Sequence, residues 1–82
     1  MFAIYMKKIT DRQWLPIAHS QQVTNIKQAR KYRKIEIAKA DFIRCCANYP
    51  DFAWSIRDIK ENTSVINNIP SVLSIWKKLK EV

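Results

Sequence analysis

The sequence predicts a mainly α fold: a small single domain, residues 1–82, of four to five short helices. Residues 2–9 would add either a short N-terminal strand or the start of a helix. Three observations lead there. The chain has no glycine, so left-handed turn positions are expensive and helices joined by short Asn- and Pro-containing connections are favoured. Apolar residues recur at three- and four-residue spacing through the second half, as on the inner face of a helix. Eighty-two residues, 48% of them hydrophobic, suit one packed domain and are too few for two.

Taken in order, Phe2, Ile4 and Met6 alternate and would share one face of a strand; the same residues would also open a helix. Thr10 or Asp11 suits the cap of a helix over residues 12–15, kept short by Pro16. Ser20 is the next cap, opening a helix over residues 21–34. At about 100° per residue, Lys27, Arg30, Lys31 and Lys34 then fall within an arc of roughly 100°, one continuous cationic ridge. From residue 35 the phase changes. Ile35, Ala38, Phe42, Cys45 and Tyr49 form an apolar stripe on the side the ridge had occupied.

A break near residues 33–36 is the preferred resolution. The alternatives are one long helix that leaves the core, or a short strand at 34–38 that pairs with 2–9, with Asp41 capping a helix over 42–48. Asn48 or Tyr49 ends this helix. Pro50 and Asp51 open another, with Phe52, Ile56 and Ile59 inside. Asn62, Thr63 and Ser64, then Asn67 and Asn68, interrupt the pattern. Pro70 and Ser71 open a last helix with Val72, Ile75, Trp76 and Leu79 at helical spacing. Lys77, Lys78 and Lys80 lie at its carbonyl end, where cations complement the dipole.

The net charge of +8 is uneven: residues 1–44 carry ten basic and three acidic side chains, and residues 45–82 five and four. A half holding nearly all the excess points to an anionic partner: DNA or RNA first, then an acidic protein surface or anionic lipid. The densest stretch, residues 27–34, has five basic side chains in eight and no acid. Lys27, Arg30, Lys31, Arg33 and Lys34 would follow phosphates, with Lys39 and Arg44 extending the patch. Asn25 and Gln28 would offer hydrogen bonds to bases, and Tyr32 a ring to stack on one. The bland alternative is a solvated basic face. Glu36 and Asp41 are too few to neutralise it.

Chemistry has little to stand on. His19 is the only histidine, and with the adjacent Cys45 and Cys46 it would make three poorly spaced ligands, so no metal site is expected. Cys45 and Cys46 lie in an apolar run and read as small core residues rather than nucleophiles. The carboxylates Asp41, Asp51, Asp58 and Glu61 fall where caps and surface pairs belong. Glycine-dependent phosphate loops are excluded. No catalytic residue and no cofactor is therefore expected.

Two adjacent cysteines make no disulfide scaffold, which suits a reducing, cytoplasmic setting. No run approaches the length of a membrane span, so no integral membrane insertion is expected. The sequence thus predicts a small non-enzymatic nucleic-acid-binding regulator or accessory factor. The alternative is a protein-interaction module, such as an inhibitor or adaptor, docking its basic face on an acidic partner. A dimer fits the small size.

Overall fold

The alternation of Phe2, Ile4 and Met6 resolves as a strand, β1 (Phe2–Lys8), in a computed structural model that describes residues 1–18 and 21–69. Around it lie β2 (Leu15–Ala18), β3 (Gln21–Gln22), β4 (Lys31–Tyr32), β5 (Phe52–Asp58) and β6 (Thr63–Asn68). One helix, α1 (Ile35–Asn48), packs on them. The mainly α, four-to-five-helix expectation is overturned: among the described residues the fold is a six-stranded antiparallel sheet with a single α-helix. The expected last helix at 70–82 and the cap at Ser20 lie outside the described residues, as does His19.

β1 is the centre of the sheet, whose order is β3-β2-β1-β5-β6. Along one edge it pairs with β5 over its whole length, Ile4 opposite Ile56 and Met6 opposite Trp54. Its other edge is shared. Tyr5 and Met6 face Pro16 and Leu15 of β2, while Phe2 and Ala3 face Tyr32 and Lys31 of β4. Since paired residues project to the same side of a sheet, this register sorts the side chains into two faces. Ile4, Trp54 and Ile56 line the inner face with Ile17 and Tyr32, flanked by Phe2, Met6, Phe52 and Ile66. Ala38, Phe42 and Cys45 of α1 close over them.

The helix follows the predicted stripe. Ile35, Ala38, Phe42 and Cys45 recur at helical spacing and meet the sheet. Tyr49 stands just past the end, its ring 6.3 Å from those of Phe52 and Trp54. The helix starts at residue 35, within the predicted break, and its cap position is occupied by Lys34 with no side-chain cap bond.

Residues 21–34 are not a helix. They form β3, a short 3-10 turn at Ile26–Gln28 and β4. Their apolar members Val23, Ile26, Ala29 and Tyr32 come at strict intervals of three. On an α-helix that spacing drifts by about 60° a step, so no coherent buried stripe forms. Strand pairing takes the segment instead: the Arg30 N–H donates to the Ile17 carbonyl at 3.1 Å, and Val23 N–H to that of Pro16 at 2.8 Å. The Asn25 side chain accepts from Lys27 N–H at 3.0 Å and caps the 3-10 turn.

The expected helix after Pro50 and Asp51 is likewise a strand. Phe52 and Ile56 lie four apart, which fits both periods; Trp54 between them fits only the strand. The β5–β6 hairpin turns without glycine. Asp58 Oδ1 accepts the N–H groups of Lys60 and Glu61 at 3.0 and 3.3 Å. Asn62 takes φ 52°, the left-handed region that Asn tolerates better than most residues. Residues 12–15, expected as a short helix, form loop and the start of β2.

No helix among the described residues is long and apolar enough to cross a membrane.

Candidate nucleic-acid interface

The cationic ridge expected from residues 27–34 does not exist as a helix face. The fold still brings its members to the surface. Lys27 sits in the 3-10 turn, Lys31 in β4, and Arg33 and Lys34 in the bend before α1, all exposed. Lys39 is exposed on α1. Asn25 and Gln28 are exposed too, although the Asn25 carbonyl oxygen is engaged in the cap.

Three members of the predicted set converge instead on one carboxylate. Asp41 accepts the Tyr32 hydroxyl at 2.6 Å, Arg44 at 2.7 Å and, more loosely, Arg30 at 3.4 Å. The Arg30 guanidinium lies 5.1 Å from the Tyr32 ring centre. Tyr32 is 7% exposed, part of the core rather than a free stacking platform. Its ring is buried because Tyr32 pairs with Phe2 on the inner face of the sheet. This cluster ties β4 to α1. It also takes Arg30 and Arg44 partly out of the free positive charge.

Burial, and then the hydrogen bond to Asp41, hold the Tyr32 phenol well above its ordinary value of 10.0. A raised folded-state value means that the contribution to stability is complete below pH 10.0 and is lost as pH climbs through the higher value. Tyr32→Phe should therefore lower stability by about 1–2 kcal/mol at neutral pH, the worth of a hydrogen bond to a charged group whose acceptor keeps other partners. Urea denaturation should show the gap between wild type and variant narrowing above pH 10.0. A gap that widens there would contradict the assignment.

The face of the sheet opposite α1 was not anticipated. The register places Ala3, Tyr5 and Lys7 of β1 on it, with Ala53, Ser55 and Arg57 of β5 beside them. Lys31 joins this face through its pairing with Ala3. Arg57 lies 5.0 Å from the Tyr5 ring centre and 5.4 Å from that of Trp14; Lys7 lies 5.0 Å from the Trp14 ring. The Arg57 Nε is buried with no hydrogen-bond partner among the described residues. Two rings flank its guanidinium, and no carboxylate pairs with it among the described residues. Next to it the Asn67 side-chain oxygen accepts the hydroxyls of Ser55 and Ser64, each at 2.6 Å.

Sequence reasoning missed this cluster because it needs β1 and β5 both as strands. Given that, the odd positions 3, 5 and 7 and 53, 55 and 57 define the outer face. Trp14 arrives from a loop, and no local pattern announces it.

Among the described residues, no three His, Cys, Asp or Glu side chains gather as metal ligands. Cys45 and Cys46 are free thiols. Burial pushes both up from their ordinary value, with Arg44 pulling Cys45 and a hydrogen bond from Asn68 pulling Cys46 the other way. Such thiols stay protonated at neutral pH and are poor nucleophiles.

No family model, curated protein or solved structure matches the chain.

Proposed function

We propose that this chain is a small, non-enzymatic nucleic-acid-binding protein that grips phosphates with the exposed cations of residues 27–39. One observation carries the reading. Lys27, Lys31, Arg33, Lys34 and Lys39 are all exposed, and none forms an ion pair among the described residues. Of the two carboxylates in this region, Asp41 engages Arg30 and Arg44, and Glu36 is exposed and forms no ion pair among the described residues. Five cations against one exposed acid, Glu36, within thirteen residues favour a polyanion, since each neutralised phosphate releases counterions. The free cysteines fit a reducing compartment such as the cytoplasm.

The test is a fluorescence-anisotropy titration of a labelled oligonucleotide with purified protein. Four or five phosphate contacts should weaken binding roughly 50- to 500-fold between 50 and 200 mM salt. Absent binding, or affinity flat across that range, removes the reading.

A second reading, a protein-interaction module or a dimer, is favoured by the outer side of α1. Ile37 and Ile43 are 53% and 66% exposed there, and Ala40 and Ala47 are exposed on the same side. A partner covering this stripe would meet Arg44 at its edge, so an acidic rim would suit it. The purified chain would then ignore nucleic acid and self-associate or hold one stoichiometric acidic partner.

A further inference from the structure

We infer that the outer face of the sheet is a stacking platform for single-stranded nucleic acid, with Trp14 and Tyr5 as the stacking rings. The inference rests on the nucleic-acid reading above and specifies which form of the polymer is bound.

The register lays the face out in rows. One row runs Lys31, Ala3, Arg57, Ser64; the next runs Pro16, Tyr5, Ser55, Asn67; a third holds Lys7 and Ala53. No carboxylate stands in any of them. Neighbouring strands lie about 4.8 Å apart, so Lys31 and Arg57, two strands apart, flank β1 across about 10 Å. Ala3, Ala53 and Ser55 are fully buried although they point to this side. Tyr5, Lys7, Trp14 and Arg57 on the same face are partly exposed.

This chemistry matches single strands rather than duplexes. Bases in a duplex are stacked on each other, and only their edges reach a groove. Unpaired bases offer both π-faces to an aromatic ring or a guanidinium plane. Arg57, stacked with Tyr5 and Trp14 and without a carboxylate partner among the described residues, holds a positive charge in the same layer as the rings. Lys7 over Trp14 does not block the ring. A flexible ammonium on a half-buried ring is a weaker contact than a stacked base, and once displaced it is free to meet a phosphate. Asn67 adds a means of touching base edges. Its side-chain oxygen is committed to Ser55 and Ser64, which fixes the amide, while its N–H groups have no partner among the described residues. Lys31 belongs both to this face and to the exposed basic segment, so one strand could run from the rings onto Arg33 and Lys34.

The experiment compares a labelled single strand and a blunt duplex of equal length, each against wild type, Trp14→Ala and Trp14→Phe. Wild type should prefer the single strand. Trp14→Ala should weaken single-strand binding about 5- to 100-fold and collapse the preference, and Trp14→Phe should restore most of it. Tryptophan emission should be quenched by the single strand in wild type. Trp14→Phe should lose that quenching while still binding, a result no merely structural role for the ring would give. Thermal melts confirm that each variant is folded. If single strand and duplex bind wild type equally, and Trp14→Ala shifts neither, the stacking platform is wrong while nucleic-acid binding stands. If neither nucleic acid binds, both readings fall.

Discussion

Replacing Trp54 with alanine should destabilise the protein more than any other single truncation, by about 3–5 kcal/mol. Trp54 is 0% exposed and is the largest fully buried side chain. It stands opposite Met6, next to Tyr49, and donates its indole N–H to the Tyr49 carbonyl at 3.0 Å. It therefore joins the central strand pair to the chain leaving α1. Alanine would open a cavity at that junction and leave the Tyr49 carbonyl with the Phe52 N–H alone, at 3.3 Å. A domain of this size has about 5–15 kcal/mol in hand, so the variant would be marginal. Its melting temperature should drop by more than about 12 °C, given about 4–8 °C per kcal/mol. Trp14→Ala, removing a half-buried ring, should change stability by less than half as much. A Trp54→Ala melt close to wild type would mean that the core is built elsewhere.

The second large effect is on binding. Arg33→Glu combined with Lys34→Glu should weaken nucleic-acid affinity roughly 30- to 100-fold at 0.1 M salt and reduce the magnitude of the salt slope by about 1.5–2, the share of two phosphate contacts. Stability should move the other way. Both residues are exposed, and Lys34 stands at the N-cap of α1 without capping it. Acidic side chains there complement the helix dipole by about 0.3–1 kcal/mol. A variant that melts at or above the wild-type temperature yet binds poorly separates lost recognition from lost fold. Unchanged affinity would show that these two cations do not touch the ligand.

How far the sequence disclosed this structure depended on which periods were ambiguous. The stripe of Ile35, Ala38, Phe42 and Cys45 fits only a helix, and α1 lies where it indicated. Phe2, Ile4 and Met6 alternate, but seven residues are too few to separate a strand from the start of a helix without the pairing partner. That partner is β5, about fifty residues away. In β5 the four-residue spacing of Phe52 and Ile56 satisfies either period, and the helix-friendly Pro50 and Asp51 pulled the reading toward the wrong one. Residues 21–34 fail as a helix for want of an apolar stripe, and distant contacts to Phe2 and Ala3 decide their conformation. Locally written features were legible; those set by pairing across the sheet were not.

The same division holds for the site. The exposure of Lys27, Lys31, Arg33, Lys34 and Lys39 follows from composition, because an acid-free cationic run is costly to bury whatever its secondary structure. Arg44 meets Asp41 within one helical turn, whereas the loss of Arg30 and Tyr32 to Asp41 depends on the β4 segment reaching α1. The arrival of Lys31 on the outer sheet face depends on β4 pairing with β1.

The central claim is that nucleic acid is bound by the basic segment that fills the gap between β3 and α1. Amide chemical-shift mapping during titration of the labelled protein with a single-stranded oligonucleotide tests it most directly. The account predicts the largest shifts at residues 27–34, continuing onto the amides of Ala3, Tyr5 and Arg57. Shifts confined to Ala40, Ile43 and Ala47 on the outer side of α1, or no shifts at all, would contradict it.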